Sequence, residues 1–116
     1  MNLSIKERIG AILIMKSLSG NLDNQIIARS VIDKCEITPP EAEVINFRRM
    51  NGEFLWNEKL EKSAEINFTE AEILILKECF KFLNENDLIN QTTLDICLKI
   101  NSLWVLYFKI KSCNQS

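Results

Sequence analysis

Arg48 and Arg49 stand beside Phe47 and close to Phe54 and Trp56. Guanidinium groups near aromatic rings bind anionic partners by ion pairing and stacking. Arg48, Arg49, Phe54 and Trp56 are therefore the candidate contacts for a protein partner or a small anionic ligand. Alternation along a strand puts Arg48 and Arg49 on opposite faces, so a flat strand cannot aim both at one ligand. A plainer arrangement has Phe47 and Trp56 roofing the helices while the arginines pair with Glu53 or Glu58.

Chemistry beyond binding is hard to build from this chain. It has no histidine, which removes the commonest general base near neutral pH and the commonest metal ligand. A Ser-His-Asp or Cys-His nucleophile is excluded on the same ground. With three glycines in all, no phosphate-cradling or dinucleotide-binding glycine pattern exists. The paired carboxylates Glu41/Glu43 and Glu70/Glu72 lie two residues apart, which splays them on a helix. Glu41 and Glu72 also have capping work to do. Cys35, Cys79, Cys97 and Cys113 form no C-x-x-C pair, and a structural zinc would need all four. Cys79 and Cys97 fall on apolar stripes, where free cysteine packs as a small hydrophobe. Reduced thiols in a cytoplasm are expected. The reading is of a non-enzyme without catalytic residues, cofactor or metal.

Trp104, Tyr107 and Phe108 make a second grouping, of residue types enriched among interface anchors. The first helix, with Ala11, Ile14 and Met15 beside its main apolar face, is also richer in apolar surface than a stripe requires. A chain of 116 residues buries a limited share of its surface, so this excess points to an oligomer, a homodimer first. Ile14, Met15, Trp104, Tyr107 and Phe108 are the candidate interface. The alternative is that residues 101–116 pack on their own domain instead of forming an extended tail.

The elements that must hold these groups can be read from local signals. Ser4-Ile5-Lys6-Glu7 is a capping box opening a helix to about Ser17, with Ile5, Ile9, Ile12 and Leu13 on one face. Gly20 is placed to take a left-handed conformation after it. A second helix is expected over about Asp23–Lys34, with Ile26, Ile27, Val31 and Ile32 inward. Thr38-Pro39-Pro40-Glu41 starts a short helix to about Ile45. Asn51-Gly52 between Phe47–Met50 and Glu53–Trp56 is the preferred two-residue hairpin turn. Ala64–Phe68 alternates and is expected as a third short strand, with Asn57–Ser63 a solvated connection. Thr69–Glu72 is another capping box, opening a helix that ends near Asn84–Asn86. A final helix begins around Asn90–Thr92, with Leu94, Cys97, Leu98 and Ile100 on one side, and continues to about Lys109. The fold class is mainly α (α+β): about five helical segments and a small hairpin or three-stranded patch, in a single domain over residues 1–116.

The net charge of −2 is too balanced for a general nucleic-acid binder. It is unevenly placed: residues 36–95 hold thirteen acids against six bases, while residues 96–116 hold Lys99, Lys109 and Lys111 and no acid. No apolar run approaches the ~20 residues of a membrane span, and the first residues lack a signal-peptide pattern. A cytoplasmic chain without membrane association is expected.

Several segments together resemble a family of small, uncharacterised proteins from bacteriophages and prophages of low-GC bacteria. They are Ser4–Arg8, Thr38–Glu43, Asn46–Gly52, Trp56-Asn57, Glu65–Glu72 and Phe82–Asn90, which cover the chain up to about Ile100. Sixteen isoleucines, twelve asparagines and ten lysines agree with an AT-rich genome. The resemblance brings no activity with it. The functional expectation is a phage-type interaction protein that binds and modulates a host protein, a defence factor included. A first alternative is an oligomeric sponge for a nucleotide-type signal, with Arg29, Lys34, Arg48 and Arg49 converging across subunits. A second is a DNA-binding regulator using residues 23–45, against which Glu36, Glu41 and Glu43 argue. A structural virion component also fits the chain.

Overall fold

The computed structural model describes residues 1–103. In chain order these form β1 (Asn2–Leu3), α1 (Ile5–Ser17), α2 (Leu22–Cys35), α3 (Pro39–Val44), β2 (Arg48–Met50), β3 (Glu53–Leu55), β4 (Ala64–Glu65) and α4 (Glu70–Glu85). A further helix, α5, follows over residues 94–103. The architecture is mainly helical with a small β component. The expected continuation of the last helix to Lys109 lies outside the described residues.

Local chemistry starts three of these helices. Ser4, Thr38 and Thr69 each accept from the backbone three residues on, and Glu7, Glu41 and Glu72 reach back to the cap N–H. Two orphan donors are thereby satisfied at each helix start. The exit of α1 differs from expectation. Leu18 caps it in an extended conformation, and Gly20 is not among the residues with positive φ. The N–H of Leu18 bonds back to Met15 O, so the turn closes without a left-handed residue.

α1 lies at the centre. It packs on α2 and α4, and its Ala11, Ile14 and Met15 join Val31, Cys35, Leu76, Ile96 and Ile100 in one buried cluster. A smaller cluster of Ile5, Ile9 and Ile45 sits under Phe47, Phe54 and Trp56. Ile14 and Met15 are thus core residues, 3% and 1% exposed, and not the oligomer surface expected of them. The reason is that α1 is covered by the chain's own helices on more than one side. Other faces are also turned from expectation: Ile26 on α2 and Leu98 on α5 are exposed, and Ala28, Cys35 and Ile96 are buried in their place.

The β component is two separate antiparallel pairs, not a three-stranded patch. β2 and β3 form the expected hairpin, while β4 pairs with β1, Asn2 opposite Glu65 and Leu3 opposite Ala64. This pairing closes the chain start over the core, where Leu3 is fully buried.

At Gly10, α1 lies close against Ile96 of α5 and the turn before it. A Cβ there would lie 2.8 Å from Ile96 Cγ2 and 3.2 Å from the Thr92 carbonyl oxygen. Alanine gains about 1 kcal/mol of helix propensity, but overpacking against the β-branched Ile96 and the Thr92 carbonyl costs about 1–3 kcal/mol. Gly10→Ala is therefore expected to lower stability in urea unfolding. A variant at least as stable as the parent would show that α1 and α5 can part freely here.

Candidate functional site

The hairpin is held by its turn and by α1. Asn51 and Gly52 both have positive φ, 53° and 80°, as a two-residue turn matched to strand twist requires. Arg49 stands opposite Phe54 in the register, and its guanidinium lies 5.5 Å from the Phe54 ring centroid. Phe47 stacks on Phe54 at 5.7 Å and on Trp56 at 6.1 Å. Trp56 Nε1 donates to Glu61, whose other oxygen accepts from the N–H of Ile5 at the start of α1. Glu61 thus ties the hairpin to the first turn of α1. It falls inside the segment read as a mere solvated connection, whose residues Glu58–Leu60 form a 3-10 turn.

Of the four hairpin candidates, Arg49, Phe54 and Trp56 gather around Phe47, while Arg48 stands opposite Leu55 and apart from them. Phe54 and Trp56 roof the smaller cluster beside Phe47. Arg48 is exposed and donates to the carbonyl of Asn46 at 3.1 Å. No ion pair of Arg48 or Arg49 with Glu53 or Glu58 occurs among the described residues.

Two buried polar knots brace the helices. Arg8 is 4% exposed and donates to the carbonyls of Cys35 and Glu36 at the end of α2, and to both oxygens of Glu41. A cation at the C-terminal end of α2 also meets the negative pole of that helix. The Arg8 guanidinium holds the Glu41 carboxyl below its ordinary range. Glu72, 2% exposed, accepts from Lys34, Ser30 and the N–H of Thr69. Burial opposes its charge, but these hydrogen bonds outweigh that and bring its carboxyl down to about 2. Lys34 also donates to the Asn67 carbonyl, so this cation is already engaged.

An open apolar groove of about 740 Å³ lies elsewhere, where α1 ends against α4 and the turn ahead of α5. Leu13, Ile14 and Leu18 form one wall, Ile75 and Phe82 the other, and Thr92 and Thr93 close one end. Phe82 and Leu88 at its rim are 59% and 52% exposed. Glu78 is the only charged side chain in the lining among the described residues. Cys79 also lines it, and burial together with Glu78 pushes that thiol up, away from the reactive thiolate. Of the residues lining this groove, sequence reading named only Ile14 as a candidate contact, for an oligomer surface, and so missed the groove. The signal was present in the breadth of the α4 apolar face, which is wider than one packing stripe.

Trp104, Tyr107 and Phe108, the other interface candidates, lie outside the described residues. Among the described residues no group of three or more His, Cys, Asp or Glu side chains is placed to hold a metal ion. No described helix is long and apolar enough to cross a membrane. Comparison with family models, curated proteins and solved structures finds no match to this chain.

Proposed function

We propose that this chain is a small, non-enzymatic interaction protein of the phage or prophage type that binds and modulates a host protein. Its groove between α1 and α4 takes an amphipathic segment of that partner, bulky apolar side chains inward and a basic residue against Glu78. The observation that carries this reading is the groove itself: an apolar concavity rimmed by the exposed Phe82 and Leu88, with one negative charge, Glu78, among the described residues of its lining. Water against such a surface is released on docking, which drives association. The nucleotide-sponge alternative needs Lys34 free, whereas Lys34 is engaged by Glu72 and Asn67.

The test is retention from a low-GC bacterial lysate on the tagged chain, with Phe82→Glu as the control and absorbance at 260 nm recorded. Phe82 is 59% exposed, so glutamate there leaves the core intact. One stoichiometric protein held by the parent and weakened about tenfold or more in the variant is expected. Bound nucleotide with no protein partner would overturn the reading and move attention to Arg48 and Arg49.

A further inference from the structure

We propose that Asn51 is a self-modifying site: the Gly52 nitrogen closes on the Asn51 side chain, and hydrolysis leaves aspartate or isoaspartate at the tip of the hairpin. This concerns the hairpin alone and is independent of the groove and of any host partner.

The reaction needs an amide carbon, a neighbouring nitrogen and a backbone that lets them meet. The Gly52 nitrogen attacks Asn51 Cγ and gives up its proton. The bond from Cγ to the carboxamide nitrogen breaks, and ammonia leaves. The product is a five-membered succinimide. Water then opens the ring. Cleavage of the Cγ–N bond gives aspartate in an ordinary chain, whereas cleavage of the backbone C–N bond gives isoaspartate, whose main chain runs through Cβ and Cγ. Nothing is oxidised or reduced, and water is the only co-reactant.

The turn supplies the geometry. Of the twelve asparagines, Asn51 alone precedes a glycine. Both turn residues are exposed, and a Cβ placed on Gly52 would meet nothing within 4 Å, so no neighbour crowds the attack. A planar succinimide eclipses Cβ with the following nitrogen, which for an L residue means ψ about −120°, the value at the first central position of a type II′ turn. That position also requires φ about +60°, and Asn51 already stands at 53°. Turning over the one peptide between Asn51 and Gly52 completes the change. Glycine takes φ of either sign, and types I′ and II′ both suit a two-residue hairpin. The pairing of Met50 with Glu53 is therefore kept through the flip.

Two other positions share the positive φ but not the free nitrogen. Asn46 and Asp87 both have φ 54°. The N–H that follows each is held in a helix-exit bond, Phe47 to the Ala42 carbonyl at 2.8 Å and Leu88 to the Leu83 carbonyl at 2.9 Å. Among the described residues the Gly52 N–H has no such bond. Either product adds a negative charge two residues from Arg49, on the hairpin that carries the candidate arginines. Isoaspartate also lengthens the main chain within the turn, so Arg49 opposite Phe54 and Met50 opposite Glu53 cannot both be kept without a bulge.

The test is ageing of the purified full chain in mildly alkaline buffer, once folded and once unfolded in urea. Peptide mass spectrometry reads the mass gain from amide to acid at each asparagine, and labelling by an isoaspartyl methyltransferase identifies the isoaspartate. Asn51 is expected to convert in the folded chain within about tenfold of its rate in urea, because the flip exchanges one favoured turn for another. Asn46 should remain an amide in the folded chain over the same period. Slower conversion of folded Asn51 than this would mean that the turn shields it, and would overturn the site. Conversion of folded Asn46 as fast as Asn51 would also overturn it, since the free Gly52 nitrogen would then confer nothing.

Discussion

Replacing Arg8 with methionine should destabilise the fold by about 3–5 kcal/mol, the range for removing one partner of a buried ion pair. Methionine keeps much of the volume and helix propensity of arginine, so the loss isolates the charge and its hydrogen bonds. Arg8 satisfies the carbonyls of Cys35 and Glu36 and forks onto Glu41, all from one buried position. Without it, the end of α2 loses two acceptor bonds, and α3 is no longer tied to α1. Urea unfolding followed by circular dichroism would measure the effect. A loss below about 1 kcal/mol, the worth of an exposed pair, would mean that water or a neighbouring donor takes over the knot. Because domains of this size are stable by about 5–15 kcal/mol in total, the expected loss is a large fraction of the whole.

Acid should remove a second large contribution, through Glu72. Its carboxyl is held near 2 in the fold against an ordinary 4.5. A depressed carboxyl stabilises the folded chain fully above its unfolded value and loses that contribution as pH falls from about 4.5 to about 2. The size is about 3 kcal/mol, from some 1.4 kcal/mol per pKa unit. Glu72→Gln should be less stable than the parent by about this amount at neutral pH, and the two should converge near pH 2. Glu41, also depressed by Arg8, titrates in both proteins and cancels in the difference. If the gap in urea midpoints is the same at pH 7 and pH 2.5, the charge of Glu72 is not what holds α2 to α4.

These two positions show where sequence reading reached its limit. Glu41 and Glu72 are visible as capping residues because their partners, Thr38 and Thr69, are three residues away. Their second duties are not visible, since Arg8 is 33 residues from Glu41 and Lys34 is 38 from Glu72. The groove was hidden for a related reason. Apolar spacing on α4 shows that the helix is amphipathic but not which of two adjacent apolar strips meets α1. Burial of Ile75, Leu76 and Cys79 left Phe82 outside.

What the sequence by itself determined is the set of local events: three capping boxes, the Asn51-Gly52 turn and the predominance of helix. Each depends on contacts within a turn of chain, so residue type and spacing suffice. Only the tertiary structure decided that β4 pairs with β1 and not with the hairpin, that Glu61 caps α1 while holding Trp56, and that Ile14 and Met15 are core. Each of these needs a partner from a distant part of the chain, and apolar periodicity carries no label saying which distant surface it will meet. The groove between α1 and α4 is of that kind, the space left where three helices converge.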